Sequence, residues 1–332
     1  MGTAASELYT DVSLVSFKMS EQSEKGEKRV CMGISKTLKY KEDQEKELTV
    51  ISDEDLKRLQ AVLLKAYLDI QNVCEKYGLR IMLGGGSCLG AVRHKGFIPW
   101  DDDFDTNMPR EDYEKFKEVF QRELGDRYIL NASDYSERKA ARFPRVVVKN
   151  TKLLGPDRDE EAEYSGIRID IFIIENVPRN LFHRTVKGLY CHALMLIASS
   201  VRAEKKDKEK LPEEAKKKFS LFGLWRGAIG TLFSYRSQRT WLLRVNKACQ
   251  YRRETGLVSI PTGRNHYFKE MQPREVFLPM SKGSFEGHEV NLPGDPHAYL
   301  SKLYGSDYMT PPPPEKREKH SFVEIDFGEY QE

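Results

Sequence analysis

Four aspartates occupy five consecutive positions, Asp101, Asp102, Asp103 and Asp105 with Phe104 between the last two, fourteen residues after the small-residue turn Gly84-Gly85-Gly86-Ser87. Like charges this close repel strongly at low dielectric, so a folded chain keeps them only if they are solvated, protonated or neutralised by a cation. The neighbouring Ile98, Pro99, Trp100 and Phe104 argue against plain solvation. On a strand, side chains alternate, which would put Asp103 and Asp105 on one face and Phe104 in the core. Hard oxygen ligands presented in that way suit magnesium or manganese. The bland alternative is a solvated acidic loop or a helix start.

Apolar Ile81, Met82 and Leu83 precede the glycines, and Ser87 to Val92 follow them, an order that predicts strand, glycine turn and short helix. Glycines there let the backbone approach a phosphate, and Ser87 with the helix-start amides can donate to it. A glycine turn alone is a weak signal; a turn followed by paired carboxylates is a stronger one. Farther along, residues 167–174 read as a strand in which Ile167, Ile169, Ile171 and Ile173 share one face and leave Arg168 and Asp170 on the other. An aspartate in so apolar a strand points to function, against the alternative of a structural salt bridge to Arg168 or at a sheet edge.

Residues 83–116, LGGGSCLGAVRHKGFIPWDDDFDTNMPREDYEKF, resemble the signature of the LicD family of phosphocholine transferases, relatives of fukutin-type proteins. The Asp-Ile-Phe element at residues 170–172 is similar to one the family carries, and so are residues 269–277, Phe285-Glu286-Gly287, the helix end Tyr299 to Gly305, and Tyr308-Met309 before the prolines. Together these cover about residues 55–320. The resemblance implies an α+β, nucleotidyltransferase-like fold: a mixed β-sheet core with flanking helices and a helical insert. It gives Gly85, Gly86 and Ser87 the donor phosphates, and Asp103, Asp105 and Asp170 the divalent magnesium or manganese, with Asp101 a further ligand and Asp102 without an assigned role. Glu175 stands where the family often has aspartate, which weakens any role there.

The implied reaction moves phosphocholine from CDP-choline to a hydroxyl of a cell-surface glycan, such as lipopolysaccharide or teichoic acid, or of its lipid-linked precursor. Asp170 is the candidate general base. Arg93 is the candidate phosphate clamp because of its planar fork, whereas His94 and Lys95 read equally as solvated loop. Trp100 is the first candidate for the quaternary ammonium, since such cations are held by ring faces, although core packing competes for it. His320 lies where the family commonly has histidine. Competing readings are transfer of another CDP-linked phospho-alditol, true nucleotidyl transfer, and an inactive glycan- or membrane-binding module.

Net charge is +3 over 332 residues, too balanced for a nucleic-acid polymer partner, and 39% hydrophobic content suffices for a core. The five cysteines are scattered without a C-x-x-C pair, which suggests neither a zinc site nor a disulfide framework. With no leader-like start and no apolar run near twenty residues, the expectation is a cytoplasmic protein, soluble or peripheral at the inner face of the membrane.

Residues 1–47 read as a disordered or loosely attached segment, 48–178 as the catalytic core, 179–255 as a helical insert and 256–332 as the C-terminal part of the same domain. Ser52 and Asp55 predict a capped helix start with Leu56, Leu59, Leu63, Ile70, Val73 and Tyr77 at helical spacing until Gly78. Pro109 predicts a helix to about Leu124, and residues 145–148 a strand. In the insert, apolar stretches at residues 189–201 and 219–235 flank a lysine/glutamate run. Packed helices with a solvated connector are one reading; the other is interfacial docking through Phe219, Leu221, Phe222, Leu224 and Trp225, with Lys216, Lys217 and Lys218 on acidic lipid.

Overall fold

The structure, a computed structural model, describes residues 51–135, 141–155, 165–210, 221–317, 322 and 324–330. The chain divides after Glu45 into two units, and every described residue belongs to the second. Residues 1–47, Lys216, Lys217, Lys218, Phe219 and His320 lie outside the described residues.

Helix α1 (Asp53–Lys76) begins where the capping pair predicts: the Asp55 amide donates to Ser52 Oγ at 3.0 Å and the Ser52 hydroxyl returns a bond to Asp55 Oδ2 at 2.8 Å. It ends before Gly78, whose φ of 62° is left-handed. Leu59, Leu63 and Ile70 on its inner face are wholly buried against a mixed sheet.

That sheet runs β1 (Met82–Leu83), β2 (Asp105–Pro109), β6 (Arg168–Asn176), β4 (Arg145–Val148), β3 (Tyr128–Asn131), with only β2 and β6 parallel. The far end of β6 continues into antiparallel β7 (Leu257–Ser259) and β8 (Gln272–Pro273). Two smaller pairs, β5 (Lys152–Leu154) with β11 (Glu324–Asp326) and β9 (Ser281–Phe285) with β10 (His288–Leu292), complete an α+β architecture. In β6, Ile169, Ile171 and Ile173 are buried while Arg168, Asp170 and Phe172 are less so, the alternation expected of it. Helix α2 (Gly85–Arg93) follows β1, and α3 (Arg110–Glu123) starts directly after Pro109, as proline at a helix entry favours.

One expectation fails: residues 101–104 are not strand, and β2 begins only at Asp105. After Pro99 the chain turns, with the Asp101 amide donating to Ile98 O at 2.9 Å, and Gln60 Nε2 of α1 donates to Asp101 O at 2.9 Å. This tether holds the segment out of the ladder, so strand alternation does not place Asp103. Phe104 is nonetheless fully buried, stacked on Tyr67 at 4.8 Å.

The insert consists of α4 (Leu181–Lys210), α5 (Leu221–Phe233) and α6 (Gln238–Cys249). Cys191, Leu194, Val201, Trp241, Leu242 and Val245 close a small core of their own there. Short α7 (His266–Lys269) and α8 (Pro296–Tyr304) return to the main body. No helix among the described residues is long and apolar enough to cross a membrane.

Candidate active site

The glycine turn and the aspartates are built into each other. Gly84 donates its amide to Asp105 O at 3.0 Å, the Asp105 amide donates to Ser87 Oγ at 2.9 Å, and Gly86 donates to Asp105 Oδ2 at 3.2 Å. Gly85 sits at φ 40°, and a Cβ on it would stand 2.0 Å from Asp105 Oδ2; one on Gly86 would stand 2.9 Å from Asp101 Oδ2. The glycines thus admit the carboxylates onto the helix start. The Gly85 amide donates to Tyr299 Oη at 3.0 Å, so the first-turn donors serve Asp105 and Tyr299 in this structure rather than an open phosphate cradle.

Asp105 of β2 lies in register with Asp170 of β6, and Asp170 with Arg145 of β4. Arg145 Nε approaches Asp170 Oδ1 at 3.1 Å, an ionic contact without hydrogen-bond alignment, which leaves that buried oxygen without a hydrogen bond. The Asp170 ion pair is therefore formed across the sheet. Burial raises the Asp105 carboxyl well above the usual carboxylate range, and the charges of Asp103, Asp170 and Asp101 raise it further against the Gly86 amide. Three sequence-predicted carboxylates therefore act on a fourth, Asp105. Burial and Arg145 push the Arg168 guanidinium down, while Asp170, Asp103 and Asp102 hold it up, which places Arg168 in the same field.

A hard divalent ion fits this chemistry: mutually repelling carboxylates, one with an orphaned buried oxygen. Among the described residues no three His, Cys, Asp or Glu side chains already converge as a ligand set, so binding would require the carboxylates to draw together. Asp102, which had no assigned role, is buried.

Arg93 feels the charges of Asp101 and Tyr304, but its Nη1 donates to Tyr308 O at 2.8 Å. Trp100 packs on the main core, and the Arg317 guanidinium lies 4.0 Å above its ring, so the protein's own cation covers that face. Two residues at the site carried no role in the sequence reading. Tyr299 accepts from Gly85 and from Asn107 Nδ2 (3.2 Å), and Tyr304 senses Asp105 and Asp101. Their helix-end motif was visible; its contact with the glycine turn was not.

The loop before α7 fastens α8 at this place, Asn265 Nδ2 donating to Leu303 O at 3.2 Å. Its other anchor is Glu270, which accepts from the Asn265 amide at 2.7 Å and whose pKa is pushed up to about 7, chiefly by burial. With the folded pKa above the unfolded one, the folded state binds the extra proton, so this group's contribution declines as pH rises from the unfolded value to about 7. Glu270→Gln is expected to gain on wild type by about 1–3 kcal/mol between pH 5 and pH 8 in denaturant titrations. Equal slopes for the two proteins would contradict the assignment.

The family model described as the LicD/FKTN/FKRP nucleotidyltransferase domain matches residues 78–180, which include the turn, all four aspartates of the cluster and Asp170. Among curated proteins, the lipopolysaccharide cholinephosphotransferase LicD of Haemophilus influenzae is 29% identical over 282 residues, covering 81% of this chain and 97% of that protein. Uncharacterized proteins of Rickettsia typhi and Rickettsia prowazekii are 33% and 35% identical over 24% and 19% of this chain, covering 29% and 26% of their own lengths. The glycine turn and the aspartates of the site thus lie inside the segment that is similar to the LicD/FKTN/FKRP nucleotidyltransferase domain, and the likeness to the Haemophilus LicD protein runs almost from end to end of that protein.

Proposed function

We propose that the protein transfers phosphocholine from CDP-choline to a hydroxyl of a cell-surface glycan or its lipid-linked precursor, on a nucleotidyltransferase-like core. The observation that carries this reading is the joining of the Gly85-Gly86-Ser87 helix start to Asp101, Asp103, Asp105 and Asp170 in one electrostatic cluster. The cholinephosphotransferase activity named for the Haemophilus relative supports the choice of group.

In this mechanism Asp170, oriented by Arg145, takes the proton of the acceptor hydroxyl. The acceptor oxygen bonds to the phosphorus that carries choline, the bond from that phosphorus to the bridging oxygen breaks, and cytidine monophosphate leaves with the electron pair. Magnesium or manganese, held by Asp101, Asp103, Asp105 and Asp170, would neutralise the diphosphate and lower the pKa of the acceptor hydroxyl. Arg93 clamps a phosphate once it leaves Tyr308 O, and Trp100 receives the ammonium once Arg317 moves off its ring.

Incubation with CDP-choline, CDP-ribitol and cytidine triphosphate in the presence of magnesium tests the reading. Release of cytidine monophosphate from the choline donor is expected, with loss in Asp103→Asn. Release from the ribitol donor alone would assign an alditol, pyrophosphate from the triphosphate would assign nucleotidyl transfer, and silence toward all three would favour an inactive binding module. At Trp100 the expected effect is selective: Trp100→Leu raises KM for CDP-choline by about 3- to 30-fold, the worth of one cation–π contact. An equal rise for CDP-ribitol would reduce Trp100 to a packing residue.

A further inference from the structure

Helix α4 is apolar on two opposite sides. One side carries Cys191, Leu194, Ala198 and Val201 into the insert's core. The other carries Phe182, Val186, Leu189 and Leu196, 72%, 50%, 59% and 40% exposed. Their spacing of four, three and seven residues aligns them on one stripe, and exposed Ala193 falls within it. Helix α5 packs on α4 and itself exposes Trp225 and Leu232, 65% and 68%. A helix apolar all round is ordinarily enclosed, and a stripe this large on a chain's exterior marks an interaction surface.

Charge identifies what covers it. Asp and Glu make up 51 of the 332 residues, yet none occurs in residues 177–203 or 215–253, while Arg179, Arg184, Arg226, Arg236 and Arg239 do. The acidic residues of the insert lie at residues 204–214, between those two stretches, apart from Glu254 at its C-terminal end. An exposed apolar stripe within stretches that hold no negative charge, set among cations, matches the surface of an anionic lipid leaflet: aliphatic and aromatic side chains enter the headgroup boundary, and cations meet the phosphates. A protein partner would recognise the stripe without requiring so complete an exclusion of acidic residues.

We propose that the outward face of α4, with the exposed apolar side chains of α5, docks the protein peripherally on an anionic phospholipid bilayer. The surface extends the docking reading beyond the single segment at Phe219 to Trp225 and places its centre on α4. It holds whatever group the active site transfers, so vesicle binding and donor turnover succeed or fail separately.

The test is flotation of the full chain with phosphatidylcholine vesicles and with vesicles containing roughly 30% phosphatidylglycerol. Wild type is expected to float with the anionic vesicles, less with the zwitterionic ones, and less again at high salt. Phe182→Glu combined with Leu189→Glu is expected to weaken that binding at least about tenfold, since two apolar contacts become charges at the interface. Both positions are exposed, and an unchanged thermal melt of the variant excludes misfolding. Arg179→Glu with Arg184→Glu leaves the stripe intact and should lose only the preference for anionic lipid. Absence of wild-type flotation, or equal flotation of the Phe182→Glu/Leu189→Glu protein, overturns the proposal. So does light scattering that shows a wild-type dimer and a monomeric variant, which would assign the stripe to a second copy of the chain.

Discussion

Asp105→Asn should abolish transfer while leaving the fold as stable as before or more so. The Asp105 carboxyl is desolvated and repelled by Asp103, Asp170 and Asp101, so in the protein without an ion it destabilises its own surroundings. Asparagine keeps the shape and still offers an oxygen to the Gly86 amide, which preserves the 3.2 Å bond to the helix start. What it lacks is the charge that would hold a divalent ion against the donor diphosphate. The expected loss is about 10³-fold or more in kcat/KM, roughly 4 kcal/mol of transition-state stabilisation, with Tm unchanged or raised. A readout independent of turnover is the ion itself: magnesium or manganese should raise the Tm of wild type and fail to raise that of the variant. If Asp105→Asn turns over normally, or melts higher with magnesium as wild type does, Asp105 is not a metal ligand. A site that improves in stability when disarmed is the expected trade where like charges are gathered for chemistry.

The parts of this arrangement that sequence revealed are those determined by near neighbours. Ser52 with Asp55, Gly78 after α1, and Pro109 before α3 act within a few residues of themselves, and the helices begin and end accordingly. The alternation in β6 is equally local, and it put Asp170 on the less buried face where it meets Arg145. The strand alternation expected from Asp103 to Asp105 held only at Asp105, where β2 begins, because Gln60 fastens Asp101 O from 41 positions earlier. Tyr299 meets Gly85 across 214 positions, and no periodicity encodes such a contact. The same limit applied to Trp100: its place next to the aspartates was evident, whereas the Arg317 guanidinium on its ring was not. Composition was more informative than motif in the insert, where the exclusion of acidic residues is plain in the sequence but gains meaning only once α4 is seen to expose Phe182 and Leu189.

The largest expected effect on stability lies at the opposite end of β6, where Glu175 stands in place of the family's frequent aspartate. Glu175 is 1% exposed and its Oε1 accepts from Arg110 Nε at 2.9 Å and from Arg110 Nη2. Arg110 also donates to Glu114 at 3.1 Å and to Asn246 Oδ1 of α6 at 2.7 Å, tying the main sheet to the insert. Glu175 Oε2 is buried and has no hydrogen bond, so the pair has no reserve. Arg110→Met leaves an uncompensated buried carboxylate and should lower stability by about 3–5 kcal/mol. Burial already raises the Glu175 pKa, and Arg110 is the main influence that opposes it, with a smaller pull from Lys187; without Arg110 the folded value climbs further. The folded variant then holds a proton that the unfolded chain releases, so its stability should decline as pH rises above the unfolded carboxylate range and be best preserved in acid. Adding Glu175→Gln to Arg110→Met should recover most of the loss and flatten that dependence, because a neutral amide needs no counter-ion. Asp170 is five residues away along the strand, roughly 16 Å, so molecules that remain folded should transfer at wild-type rates. A variant of unchanged stability but diminished turnover would instead move Glu175 into the chemistry.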